Sequence, residues 1–580
     1  MSRRTREAER RRRLLTRTLP LALIAVVAFV AGAAIGAPGS PSRDAADRFT
    51  AAWAAHDFKA MYRELNDSTR ARVSRKQFVQ AYRDAELVAT ERGLVAGNPQ
   101  DSFSRDGRTV VPVSVLITTV AFGRLEDEID LPYAEGGIEW DPSLVFPGLR
   151  AGEELKADVE LAPRAAILAS NGEAMAEGPA DEREHPLGSA MIDVTGEVGE
   201  APEEDEALLA RQGYPPETPV GVSGLEQAFN RRLAGRPGGK LLAVPANGDG
   251  GGASRILAEA EPTPGAPVRT TVDPALQDVA VAALAGRAGG IAALDAKTGD
   301  VRALAGQAYS APQPPGSTFK IVTTTAALQD QVVSLDDEFE INDGINVGGR
   351  FLHNANGEFC GGTFRQAFAD SCNSVFAPLG PKIGNDDLVA TAERFGFNSP
   401  PTLYAPRIVH EVEPEEPTIP EEIGEEVDLG VSAIGQGEVL ATPLEMASVA
   451  QTIANDGVRE PTSIVNNKRL RPKPEATRVM SKQLADQLTE LMVGVVVEGT
   501  GTAGAISEAQ VAGKTGTAEL GPKPGQEEEE NPVQIKDAWF AAFAPAEKPR
   551  LAVGVMLIEA EAAGGEVAAP AAAEVLAAGI

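Results

Sequence analysis

The stretch PQPPGSTFKIVTTTAAL spans Pro312 to Leu328. Pro314, Pro315 and Gly316 resist a helix, while the run after them favours one, so Ser317 is expected at a helix start. Lys320 lies three residues on, along the same face. An uncharged amine beside a serine hydroxyl can take its proton, and partial burial or a second cation favours the neutral amine. Backbone N–H groups at a helix N-terminus suit a developing oxyanion. Ser-x-x-Lys by itself is a cheap pattern whose ordinary meaning is an exposed helix face, although this chain carries it only once.

Two further patterns decide how that stretch is read. AFADSCNSVFA contains Ser371-Cys372-Asn373, which in isolation is a turn after a short helix. Lys-Thr-Gly occurs twice. In GGIAALDAKTGDVRALAG, Gly289 to Gly306, it falls between two short apolar runs, which predicts a hairpin with Gly299 in the turn. In VAGKTGTAEL, Val511 to Leu520, its flanks are apolar or small, and DAWFAAFAP and RLAVGVMLIEA follow as further strands. Lys514, Thr515 and Gly516 are therefore expected within a sheet. Gly513 and Gly516 would let a ligand backbone approach, and Lys514 with the hydroxyls of Thr515 and Thr517 would bind a carboxylate. Asp300 follows the first copy and would repel such a carboxylate, whereas Thr517 follows the second.

Ser317-x-x-Lys320, Ser371-x-Asn373 and Lys514-Thr515-Gly516 stand in the order found in penicillin-binding proteins and β-lactamases, a family the chain resembles. AIGQGEVLATPLEMASVAQTIANDG, Ala433 to Gly457, also looks like the long helix region shared by their transpeptidase domains. The resemblance implies that Ser317 is acylated and that Lys320 is its base. It implies that Ser371 relays a proton to the leaving amine, and that Asn373 orients Lys320 and the substrate amide. Lys514 would support this network, with Thr515, Gly516 and Thr517 binding substrate, and the N–H groups of Ser317 and Thr517 would form the oxyanion hole. The implied activity is D,D-transpeptidation of peptidoglycan stem peptides, with β-lactams acylating the same serine, and no cofactor or metal. A β-lactamase, a D,D-carboxypeptidase and a non-catalytic β-lactam sensor or septal scaffold stay open as alternatives. No Glu-x-x-Leu-Asn element follows Ser371-x-Asn373, so a class A β-lactamase base is not evident.

The rest of the chain fits a multidomain α+β protein. MSRRTREAERRRRLLTRT, residues 1–18, is basic, and residues 19–37 carry no charge. That run is long enough to cross a bilayer, and the positive flank places the chain beyond it outside the cytoplasm, on a single-pass anchor in the cell membrane. A cleaved leader is the alternative, with Gly32-Ala33-Ala34 suiting a peptidase. DAADRFTAAWAAHDFKAMYREL reads as a helix with Phe49, Trp53, Phe58, Met61 and Tyr62 on its apolar face. A helix over RKQFVQAYRDAEL and strands over TVVPVSVLITTVAFG and EDEIDLPY follow. With WDPSLVFPGL, Trp140 to Leu149, residues 43–155 resemble the NTF2-like domain of methicillin-resistance-type penicillin-binding proteins. Residues 160–268 resemble the class B pedestal, or dimerisation, domain, although Ala165, Ala169 and Ser170 stand where that family usually has Gly, Asp and Arg. Here Asn171-Gly172 predicts a hairpin turn, Ser223-x-x-Glu226 a capping box, and Pro245–Ser254 a flexible loop. Residues 269–580 resemble the transpeptidase domain, an antiparallel sheet flanked by helices, with Asp273 as N-cap and Pro274 in the first turn of its opening helix.

Composition narrows the partners. The net charge of −31 argues against nucleic acid. The resemblance implies peptidoglycan, β-lactams and membrane proteins of a division or elongation complex as partners, and the uncharged run 19–37 implies the membrane. Cys360 and Cys372 permit a disulfide or two inert thiols. His56, His185, His353 and His410 form no local catalytic or zinc pattern. The Glu-rich segments His410–Asp428 and Pro522–Pro532 read as solvated loops, the second close enough to the site to tune access.

Overall fold

A computed structural model describes residues 40–246, 253–405, 414–472, 475–522 and 534–580. The anchor expected over 19–37, most of the loop Pro245–Ser254, the start of the first Glu-rich segment and nearly all of the second lie outside the described residues. Among the described residues no helix is long and apolar enough to cross a membrane.

The chain divides into two units. The first takes residues up to 163 together with 200–218 and 234–265. Its helix α1, Pro41–Ala54, opens on Ser40, whose hydroxyl accepts from the Arg43 N–H, with Pro41 in the first turn. The single helix expected over this region is broken: the chain turns at His56, φ 53°, and a second helix runs Phe58–Arg63 from an Asp57 cap. Apolar spacing carried across that turn, because Phe49, Trp53, Phe58 and Met61 are all buried in one core. Helix α2, Arg75–Val88, starts with a full capping box between Ser74 and Gln77. Strands β1, Glu91–Ala96, β2, Arg108–Thr119, and β3, Arg124–Ala134, pair antiparallel in the order β1-β2-β3. Tyr82 ties α2 to the segment that follows the sheet, the Trp140 indole N–H donating to the phenol and the phenol to the Leu144 carbonyl. Strands β4, Glu153–Glu160, β5, Gly238–Pro245, and β6, Arg255–Ala260, make a second antiparallel sheet with β5 central.

The second unit takes residues 164–199, 219–233 and 266–580. In it the Asn171-Gly172 turn forms as expected, Gly172 at φ 91° and Ala169 accepting from its N–H. The capping box expected at Ser223 does not form. The Ser223 hydroxyl instead accepts from the Glu197 N–H, and the Glu226 carboxylate is fully buried between Arg164 and Arg183. A buried anion needs paired donors, and two guanidinium forks outbid one exposed N–H.

Helix α3, Pro274–Leu284, opens on the expected Asp273 cap, whose carboxylate accepts from Ala275 and Leu276. Strands β7, Gly289–Asp295, and β8, Val301–Gly306, form the predicted hairpin, with Gly299 at φ 67°. Helix α4, Lys320–Gln329, and helix α5, Pro443–Ala454, precede strands β9, Ala512–Pro522, β10, Gln534–Ala544, and β11, Leu551–Ala560, and the closing helix α6, Gly564–Gly579. The sheet is antiparallel throughout, ordered β8-β7-β11-β10-β9. Its strands are apolar on both faces because both are covered. Along β10, Trp539, Ala541 and Phe543 join the core that holds α4 and α5, while Ala538, Phe540 and Ala542 join the core that holds α3 and α6.

Helix α5 carries a buried acid. Glu445 is 0% exposed, neither carboxylate oxygen has a hydrogen-bond partner, and the Arg459 guanidinium stands 3.9 Å away. Burial pushes this carboxyl up from 4.5 to about 7, against the smaller pull of Arg459. A folded-state value above the unfolded one stabilises the fold below pH 4.5, and that contribution is lost as pH rises through 7. Glu445→Gln is therefore expected to raise the melting temperature at pH 8 by on the order of a few degrees, with the gain vanishing toward pH 4.5. Thermal unfolding across that range checks this; a variant whose loss at high pH parallels the parent's would contradict it.

Candidate active site

The site lies where α4, the segment after Ala369 and strand β9 meet. Ser317 is in a short 3₁₀ turn, Gly316–Phe319, and the α-helix proper begins only at Lys320. Sequence placed Ser317 on the first turn of that helix. The tighter turn arises because Gly316 sits at φ 52° and packs backbone to backbone, a Cβ there falling 2.7 Å from the Thr517 carbonyl. Gly316 also donates to the Gly435 carbonyl at 2.9 Å, so the stretch opening at Ala433 backs the Ser317 turn. Gly516 makes the reciprocal accommodation, for a Cβ there would meet the Pro315 carbonyl at 2.6 Å. Gly513 is filled likewise by the Phe540 ring. These two glycines, expected to admit a ligand backbone, admit the protein's own Ser317 turn and sheet core instead.

Lys320 and Lys514 are both fully buried and converge on one side chain. Lys514 Nζ donates to Ser371 Oγ at 2.8 Å and to the Thr515 carbonyl at 3.1 Å. Lys320 Nζ donates to the Ser371 carbonyl and to Asn373 Oδ1, each at 2.7 Å, and lies 3.3 Å from Ser371 Oγ. Ser371 reaches between the two ammonium groups from a left-handed backbone, φ 62°, an unusual state for a residue with a Cβ. Burial lowers Lys514 from the usual lysine value to about 7. Burial and then the charge of Lys514 hold Lys320 well below the usual range. Burial of two amines on one hydroxyl thus shifts both toward the neutral form. Among the described residues Ser317 Oγ has no hydrogen-bond partner, so the amine–hydroxyl contact expected between Lys320 and Ser317 is not made, the Lys320 amine being engaged by Ser371 and Asn373.

Thr515 is 5% exposed and its hydroxyl is 2.6 Å from that of Thr500, while Thr517 Oγ accepts from the Gly564 N–H. Thr500 also donates to the Ala369 carbonyl, linking β9 to the helix before Ser371. Sequence reading passed over Thr500, and over Phe368 and Phe376, whose rings lie 5.7 Å from Lys514 Nζ and 5.2 Å from Lys320 Nζ. Phe368 and Phe376 flank Ser371 at distances of one helical turn or so, a signal visible once the motif is placed. Cys360 and Cys372 are joined in a disulfide, with Cα atoms 5.8 Å apart. The first Lys-Thr-Gly is remote in role: Lys297 Nζ donates to the Ala454 carbonyl, closing the β7–β8 turn onto the end of α5. Asp300, expected as a bare anion, is paired with Arg471.

Comparison with known proteins agrees with this geometry. Residues 289–577 match the penicillin-binding protein transpeptidase domain, residues 178–270 the penicillin-binding protein dimerisation domain, and residues 41–153 the NTF2-like N-terminal transpeptidase domain. The peptidoglycan D,D-transpeptidase PbpA of Mycolicibacterium smegmatis is 37% identical over 290 residues, 46% of this chain and 55% of that protein, so the alignment spans about half the length of that relative. Among solved structures, the D,D-transpeptidase domain of an Eggerthella lenta peptidoglycan glycosyltransferase is similar at 29% identity and TM-score 0.56, covering 72% of this chain and 98% of that one. The ceftriaxone acyl-enzyme complex of penicillin-binding protein A from Mycobacterium tuberculosis is similar at 28% identity and TM-score 0.54, covering 72% and 98%. Three successive domain matches together with the paired lysines on Ser371 place the chain in the penicillin-binding protein family, with NTF2-like, dimerisation and transpeptidase domains.

Proposed function

We propose that the chain is a serine D,D-transpeptidase of peptidoglycan, organised as an NTF2-like domain over 43–155, a pedestal over 160–268 and a transpeptidase domain over 269–580. The observation that carries this reading is the pair of buried, pKa-depressed lysines sharing Ser371 Oγ, with Ser317 in the turn that leads into Lys320. Ser317 Oγ attacks the penultimate carbonyl of a D-Ala-D-Ala stem peptide while neutral Lys320 takes its proton. The tetrahedral oxyanion rests on the N–H groups of Ser317 and Thr517. As it collapses, the C–N bond breaks, Ser371 passes its proton to the departing D-Ala amine and takes back from Lys320 the proton that came from Ser317, while Lys514 holds Ser371 Oγ. An amine of a neighbouring stem peptide then attacks the ester, frees Ser317 and completes the cross-link. Asn373 holds Lys320 and the substrate amide, and the backbone of Thr515, Gly516 and Thr517, on the edge strand of the sheet, lines the substrate's strand-like path. β-Lactams enter the same acylation step and stall there. Residues 19–37 anchor the chain in the cell membrane with the catalytic domain outside, where membrane proteins of the division or elongation machinery meet it.

Labelling with a fluorescent penicillin tests the reading. Covalent label is expected on the parent, none on Ser317→Ala; label persisting in that variant would overturn the nucleophile assignment. Rapid spontaneous loss of label from the parent would point to β-lactam hydrolysis instead. Lys297→Ala is expected to acylate at close to the parent rate, whereas Lys514→Ala should slow acylation by roughly 100-fold or more. The sign of the pH effect is also set. Lys514 lowers Lys320, so removing it lets Lys320 hold its proton to higher pH, and the acidic limb of the acylation profile moves upward. An unmoved limb in Lys514→Ala would contradict the coupling.

A further inference from the structure

Asn373 can orient Lys320 only if its own carboxamide is prevented from flipping, and the flip is blocked by the segment that precedes the motif. The strands Gly344–Val347 and Arg350–His353 form a hairpin, and a short turn, Ala355–Gly357, carries the chain on to Cys360. This segment meets the Ser371–Ser374 stretch at three successive points. The His353 carbonyl accepts from Asn373 Nδ2 at 2.9 Å. Asn354 Oδ1 accepts from the Ser374 N–H at 2.8 Å. Cys360 is bonded to Cys372.

Asn354 is the keystone of the three. It is 4% exposed, and its Nδ2 donates to the Asn342 carbonyl at 2.7 Å and to the Glu358 carbonyl at 3.0 Å, so it closes its own loop with one end and holds the motif with the other. Its backbone N–H donates to Asp343. The three side-chain bonds fix its amide assignment, because a flip would set Nδ2 against a donor and Oδ1 against two acceptors. The same logic passes to Asn373. A carbonyl can only accept, so His353 takes Nδ2 and leaves Oδ1 facing Lys320.

The consequence lies at the amine. A neutral lysine has two N–H groups and one lone pair. The Ser371 carbonyl and Asn373 Oδ1, each 2.7 Å from Nζ, are acceptor-only and take both N–H groups. The lone pair is then directed away from them, to the side on which Ser371 Oγ stands at 3.3 Å. A flipped Asn373 would present N–H to the amine and claim that lone pair.

We infer that Asn354, together with the His353 carbonyl, is a positioning element for the acylation step, fixing Asn373 so that the lone pair of Lys320 stays on the hydroxyl side of the pocket, free to accept a proton. The inference rests on the reading of Lys320 as the base. The charged group facing Lys320 is Lys514 across Ser371, with His353 standing beyond Asn373.

The test is acylation kinetics of the full chain with a fluorescent penicillin, as a pH profile, alongside melting temperature. Asn354→Ala is expected to lower the plateau acylation rate by roughly 10- to 100-fold. It should also move the acidic limb to lower pH, because an ammonium at Lys320 loses a fixed acceptor. A folded Asn354→Ala with the parent rate, or with a reduced rate and an unmoved limb, overturns the inference, the latter being the signature of lost stability alone. Should Asn354→Ala fail to fold, Asn354→Ser keeps a hydroxyl for the Ser374 N–H and is expected to show the same two changes in smaller measure; a parent-like profile there overturns the inference equally. Lys320→Ala separates the two levels of the account, because unimpaired acylation in that variant would remove the base assignment itself.

Discussion

Two amines held on one hydroxyl inside a water-poor pocket are the constraint around which the second unit is built. Lys320 and Lys514 come from elements far apart in the chain, and Ser371 from a third. Charged, they would repel each other and forfeit hydration; the pocket tolerates them because at least one sheds its proton. The same desolvation that makes burying them costly is what lowers their pKa values.

Holding that arrangement requires close packing more than polar contacts. Gly316 and Gly516 let the Ser317 turn lie directly on β9, and Gly435 lets the stretch opening at Ala433 lie on the turn. The turn is thus fixed from two sides by backbone, which moves little. The sheet behind it is apolar on both faces and covered on both, so β9 is referenced to a rigid body through β10 and β11. Thr500 ties β9 to the helix before Ser371, and the disulfide ties Cys372 to the strand Cys360–Thr363.

Much of this was legible in sequence because it is local. The Asp273 cap, the β7–β8 hairpin and its Lys-Thr-Gly turn, and the strand character of the second copy follow from turn chemistry and patterning over a few residues. The three motifs that meet at the site were legible through their order. What escaped was set by partners distant in sequence. Glu226 looked like half of a capping box, and only Arg164 and Arg183 reveal it as a buried anion. Asp300 looked like a free charge until Arg471 reached it. Gly516 looked open to a ligand because the Pro315 carbonyl that fills its space lies some two hundred residues away, a separation no local pattern reports. The break at His56 escaped for another reason: buried spacing continued across it, so periodicity alone read one helix.

The central claim is that the paired lysines share fewer than two charges at neutral pH. Titration of the Lys320 and Lys514 side chains by NMR, with ¹³C-labelled lysine assigned through Lys320→Arg and Lys514→Arg, measures this directly. Two lysine signals moving well below the ordinary lysine value of 10.5, one with a midpoint about 7, are the expected result. Both signals holding the ammonium shift up to pH 10 would contradict the account.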